Sequence, residues 1–140
     1  MSTKVDINNK NVILLKGDII KIKMLWKIPS DLGEHGAAIW KRVGKELVKN
    51  EQLDSLDYEA FLTLCKSYDR MMVADAQMQK DGIVVDGGDR GPKKHPAFAI
   101  WKASYDAFVR LLTFFGMSPH ARGLKVKPKE VENEKSKFFN

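Results

Sequence analysis

Ala97-Phe-Ala-Ile-Trp-Lys-Ala-Ser-Tyr-Asp-Ala-Phe-Val-Arg-Leu-Leu-Thr-Phe-Phe115 is the stretch on which the fold turns. Phe98, Trp101, Tyr105, Phe108, Leu112 and Phe115 recur at steps of three, four, three, four and three. That spacing puts all six on one stripe of a helix running from about Ala97 to Phe115. Each aromatic hides on the order of 150–250 Å² when enclosed, so the stripe is expected to be buried, in part against the chain's own core and in part against a neighbouring subunit. Gly116 supplies the stop. Ser118-Pro119 restarts a short turn that ends at Gly123.

Upstream, residues 83–96 read Ile-Val-Val-Asp-Gly-Gly-Asp-Arg-Gly-Pro-Lys-Lys-His-Pro, a turn-rich connector in which Ile83–Val85 suits a brief extended segment. A second helix precedes it, starting at Leu53-Asp-Ser-Leu-Asp57 and reaching about Lys80. Its early acids favour the positive end of the helix dipole. Phe61, Leu64, Tyr68, Met71 and Met78 give it a near-heptad seam, and Asp75 holds the remaining position, as an interface ion pair or, the preferred reading, as the seam's solvated end. A first helix is expected from about Leu32 to Lys49, capped by Pro29-Ser30-Asp31, with Ala37, Trp40, Val43 and Leu47 buried. Ile20, Ile22, Met24 and Trp26 alternate with Lys21, Lys23, Leu25 and Lys27, a strand-like pattern for which a helix is the rival reading. Lys16-Gly17-Asp18 would turn the chain between two short strands. The fold class expected is mainly α: three principal helices in a small domain, with a short β element near the N-terminus and a flexible C-terminal tail. The chain divides into a basic segment (1–28), a helical domain (29–124) and a charged tail (125–140).

The net charge of +6 is unevenly spread. Residues 1–50 carry ten Lys/Arg against five Asp/Glu, residues 51–119 eight against ten, and residues 120–140 six against three. Basic ends flanking a near-neutral middle suit polyphosphate, because neutralising phosphates releases counterions. They equally suit a chain that merely stays soluble. Lys41, Lys45 and Lys49 stand four apart on the first helix, off its apolar stripe, and Arg42 adjoins them. Lys41, Arg42 and Lys45 are the first candidates for DNA phosphate contact, Lys21, Lys23 and Lys27 the next, and Lys93 and Lys94 weaker ones. A solvated helix face is the competing explanation of the ridge.

Catalytic patterns find no support. Gly87-Gly-Asp-Arg-Gly91 lacks the Lys-Ser/Thr of a phosphate-binding loop. His35, His95 and His120 stand apart, with no second ligand at helical spacing, so neither a metal nor a cofactor is expected. The single Cys65 excludes an internal disulfide and reads as core. No run approaches the roughly 20 apolar residues of a membrane span, and the N-terminus has no apolar signal core.

The order of landmarks resembles a known family. Pro29 and Leu32 precede a helix with Trp40. Leu47 and Leu53-x-x-x-Asp57 follow, then Cys65, Tyr68 and Gly82, a loop closing on His95-Pro96, and Gly116-Met-Ser-Pro-His-Ala-Arg122. Residues 29–124 are thus similar to the P-twenty-seven-type phage terminase small subunits, whose closing signature is roughly Gly-Leu-Thr/Ser-Pro-x-x-Arg. Met117 stands in place of Leu, and His95 in place of an expected Asn. The resemblance implies a non-enzymatic helical subunit, acting in the host cytoplasm during phage assembly. It would assemble into a homo-oligomeric ring, bind double-stranded viral DNA and present it to the large terminase subunit, which holds the ATPase and nuclease. Gly116, Pro119 and Arg122 carry the closing motif, with Arg122 expected to lock the last turn through an acidic partner. A dimeric helix-turn-helix regulator and a protein-only adaptor are the rival functions.

Overall fold

The computed structural model describes residues 21–123. Ile20, the Lys16-Gly17-Asp18 turn and the charged tail lie outside the described residues. The order is α1 (Glu34–Lys49), a 3-10 turn (Ser55–Asp57), α2 (Tyr58–Asp81), β1 (Val84–Asp86), a second 3-10 turn (Gly88–Arg90), β2 (Pro92–Lys94) and α3 (Ala97–Phe114). The molecule is mainly α, as its periodicities predict. A long α2–α3 hairpin forms its body, and α1 packs across the first half of α2.

The main core sits where α1, the start of α2 and the end of α3 meet. Trp40, Leu53, Phe61, Leu64 and Cys65 are fully enclosed there. Trp40 and Phe61 lie with ring centroids 4.8 Å apart, and Phe115 meets Phe61 edge-on at 5.9 Å. Two glycines let α1 come close. A methyl group on Gly36 would stand 2.9 Å from the Cys65 carbonyl of α2, and one on Gly44 would stand 2.7 Å from Leu25. Burial of Gly36, Ile39, Trp40, Val43, Gly44 and Leu47 defines the inner face of α1, while Ala37 is only partly covered.

The strand-like alternation before Pro29 yields no strand among the described residues. Lys21 forms one isolated antiparallel bridge with Asp54, and the Ile22 N–H donates to the Leu53 carbonyl at 3.0 Å. Beyond it the chain departs from the ladder, Met24 is 81% exposed, and the segment is held instead by the Trp40 indole, whose Nε1 donates to the Trp26 carbonyl at 3.2 Å. Regular pairing appears in the connector. β1 and β2 form an antiparallel ribbon, with Val84 opposite Lys94, Val85 opposite Lys93 and Asp86 opposite Pro92.

The aromatic stripe of α3 is less enclosed than its spacing predicts. Phe115 is buried, Phe98, Trp101, Phe108 and Leu112 are partly covered, and Tyr105 is 40% exposed. The reason is the partner helix. Towards the ribbon end, α2 offers Ala74 and Met78 to Ala97, Phe98 and Trp101, a small second cluster in place of a continued core. Phe98, Trp101 and Tyr105 stack on one another along α3, with centroids 6.1 and 5.1 Å apart.

Helix ends show which residues set the element lengths. After Phe114, the Gly116 N–H donates to the Thr113 carbonyl and the Met117 N–H to the Leu112 carbonyl, with Gly116 at φ 66°. This is a Schellman stop, and Leu112 and Met117 both pack on the main core. The α1 stop has the same bonds, from Glu51 N–H to Val48 and Gln52 N–H to Leu47, but its left-handed residue is Glu51 at φ 55°. The expected caps Ser30 and Asp31 do not close the start of α1. Gly33 is the N-cap, and Asp31 lies against Lys66 at 3.0 Å.

Candidate nucleic-acid interface

With Trp40, Val43, Gly44 and Leu47 turned inward, Lys41, Arg42, Lys45 and Lys49 are exposed. Among the described residues none of these four makes an ion pair, so their charge is available to a ligand. α1 is held at both ends and along its inner face, which makes it a firm base for the ridge. Its axis also favours the arrangement, since Glu34 sits in the first turn and Lys49 in the last.

The second basic set is divided by the structure. Lys21 Nζ lies 3.1 Å from Asp54 Oδ1, with the acid only 20% exposed, so its charge is already partly neutralised. Lys23 and Lys27 are exposed without such a partner among the described residues. They flank Leu25 and Trp26, the two residues seated on α1 at Gly44 and Trp40. The fold therefore brings Lys23 and Lys27 to the helix that carries Lys41, Arg42 and Lys45. Lys93 and Lys94 lie on the exposed ribbon, at the far end of the α2–α3 hairpin, and do not join this surface.

Titratable groups elsewhere in the fold have structural roles. Lys66, bonded to Asp31, holds that carboxyl below its ordinary range by hydrogen bond and charge. Asp106 raises Lys102 in the same way on α3. His95 was missed as a fold residue. Its Nδ1 accepts the Ala97 N–H at 2.9 Å, which leaves Nε2 as the N–H that donates to Asp81 at 2.9 Å. The imidazole therefore caps α3 and ties it to the end of α2. The signal was present in the His-Pro-Ala sequence, where an acceptor two residues before an unpartnered helix N–H is a capping position. No group of three or more possible metal ligands occurs among the described residues.

The closing motif is a local lock. Ser118 Oγ accepts the Ala121 N–H at 3.1 Å, and Arg122 Nη1 reaches the Gly116 carbonyl at 3.5 Å. Among the described residues, Arg122 thus bonds backbone rather than the expected acid. The motif folds back on the glycine that ends α3, beside Gln52 at the end of α1.

A family model described as "Phage terminase, small subunit" matches residues 36–132, more than half of the chain. The chain belongs to that family. The match starts two residues into α1, spans α2, the ribbon, α3 and the closing motif, and continues past residue 124 into the charged segment. No curated protein and no solved structure gives a significant match. Family membership thus bears out the resemblance carried by Trp40, Gly82, His95-Pro96 and Gly116 to Arg122. No helix among the described residues is long and apolar enough to cross a membrane.

Proposed function

We propose that this terminase small subunit binds double-stranded viral DNA through α1 and delivers it to the large terminase subunit, without catalysing a reaction itself. The observation that carries the proposal is the ridge Lys41, Arg42 and Lys45: three exposed cations without ion-pair partners among the described residues, on a helix whose other face is buried. Lys23 and Lys27 extend it. A single copy offers few phosphate contacts, and a homo-oligomeric ring multiplies them, since each further contact forms at high effective concentration. The ATPase and nuclease chemistry then resides in the large subunit, and the assembly works in the host cytoplasm. Phosphate contacts position without reading sequence, so preference for a viral site rests on DNA shape and deformability.

The helix-turn-helix alternative is weakened by the path between α1 and α2. Residues 50–57 intervene, including a 3-10 turn, where that motif uses about three or four residues. Both faces of α2 are also occupied, by α1 and by α3.

Duplex binding measured across a salt series tests the proposal. The triple variant Lys41→Glu, Arg42→Glu, Lys45→Glu weakens binding and flattens the log–log salt slope by about 2.7, at roughly 0.9 per phosphate contact. A triple variant that binds as the parent does refutes the ridge. Absence of salt-sensitive DNA binding in the parent supports the protein-only adaptor instead.

A further inference from the structure

α3 ends in a large apolar side chain that no described residue covers. Phe114 is 74% exposed, on the side of α3 turned away from the α2 contact. Arg110, one helical turn earlier on the same side, is exposed and makes no ion pair among the described residues. At the other end of the hairpin lies an open groove of about 480 Å³ walled by Met78, Ile83, Phe98 and Trp101. The charged residue in its lining is Asp75, which meets the neutral Gln79 amide at 2.7 Å, and Lys94 Nζ stands 5.2 Å over the Phe98 ring.

These two features are complementary. The apolar projection carries a cation beside it, and the apolar hollow carries an anion beside it. Sixteen residues separate Phe98 from Phe114, which places them about 24 Å apart along the axis and about 160° apart around it. Phe114 therefore cannot fill the groove of its own copy. We propose that Phe114 of one copy enters the groove of the next, with Arg110 against Asp75, and that this repeated contact joins the subunits. Such a contact is heterologous: each copy presents a projection at one end and a hollow at the other. Repetition of a heterologous contact closes into a ring when the rotation allows it. The contact encloses a phenyl group and a good share of the groove wall, the kind of central aromatic anchor that dominates interface energies. It rests on the ring reading above and names the surfaces that build it.

The test is native mass spectrometry of the full chain and two variants. Phe114→Ser with Arg110→Asp removes the projection, and Asp75→Arg with Ile83→Lys blocks the hollow. All four positions are exposed or at the groove rim, and unchanged circular dichroism and Tm establish that the variants fold. Each variant alone is expected to need at least about tenfold higher concentration to assemble. Mixed, the two are expected to form one-to-one pairs and no larger species, because one intact projection and one intact hollow remain between them. Variants that assemble as the parent does overturn the contact while leaving the ring reading intact. Failure of the mixture to pair, or recovery of full-size assemblies from it, also overturns the contact. A parent that is itself monomeric refutes the ring and this contact together.

Discussion

Asp69, in the middle of α2, closes the amino end of α1: its Oδ1 accepts the Gly36 N–H at 2.9 Å across a separation of 33 residues. The N-cap Gly33 provides no side chain for this task, and a methyl group there would collide with the Asp69 carboxylate. The helix that carries the basic ridge is thus anchored by a charge on another helix.

Replacement of Asp69 by Ala should destabilise the protein by about 0.5–2 kcal/mol, the usual range for losing an N-cap. Gly33→Ala should also destabilise, because it displaces the carboxylate. In the Asp69→Ala background the Gly33→Ala cost should shrink, since the colliding group is gone. A double-mutant cycle by urea denaturation checks this, and strict additivity would show that the two residues do not communicate.

Glu51 ends α1 in the left-handed region at φ 55°, where a side chain costs about 1–2 kcal/mol. Glu51→Gly relieves that strain but loosens the unfolded chain, by about 0.5–1 kcal/mol. The net expectation is a gain of about 0.5–1 kcal/mol, seen as a Tm rise of a few degrees. Glu51→Val, β-branched, should lower Tm instead.

His95 joins three elements through two ring nitrogens and its backbone N–H, which donates to the Ile83 carbonyl at 2.8 Å. His95→Ala should cost about 1–2 kcal/mol for the lost cap. His95→Asn keeps an acceptor for the Ala97 N–H and should recover part of the loss, while the tie to Asp81 goes. Hydrogen exchange at Ala97 and the last amides of α2 distinguishes the two variants: protection falls at both sites in the first, and mainly at the end of α2 in the second.

Burial pushes the Cys65 thiol up to about 12, from an ordinary value of 9.0. Below about pH 9 both folded and unfolded thiols hold their proton, so Cys65 contributes no pH dependence there. As pH rises from about 9 towards about 12 the unfolded chain releases its proton first, and stability falls by up to about 1.4 kcal/mol per pH unit. Cys65→Ala should be less stable below about pH 9 and lose stability less steeply above it, as read from urea midpoints. A thiol reagent at neutral pH should label Cys65 at the rate of opening and no faster.

Much of this architecture was legible. The 3.6-residue periodicity located all three helices to within a few residues, because each apolar stripe has a real partner. Gly116 marked the α3 stop, and it adopts positive φ, as Gly82 does at the end of α2. The α1 stop was hidden, since Glu51 takes the left-handed position without a glycine to announce it. The pairing of Pro92–Lys94 with Val84–Asp86 was hidden too: neither proline nor two lysines signal a strand, and the ribbon follows from the turn chemistry at Gly87 to Gly91 and the anchoring of His95. Conversely, Ile22, Met24 and Trp26 looked like a strand but, among the described residues, find nothing to pair with beyond Leu53 and Asp54. Of the candidate cations, sequence spacing identified the α1 ridge correctly as an exposed row. It could not reveal that Lys21 is tied to Asp54, because that contact joins residues 33 apart.

The glycine contacts of α1 carry a consequence for how such a protein can diverge. Where α1 crosses α2, the approach at Gly36 leaves no room for even one added carbon beside the Cys65 carbonyl. The exposed lysines can be exchanged, moved or multiplied at little structural cost. The spot where the two helices touch has no such freedom, and a single methyl there would force the backbones of α1 and α2 apart.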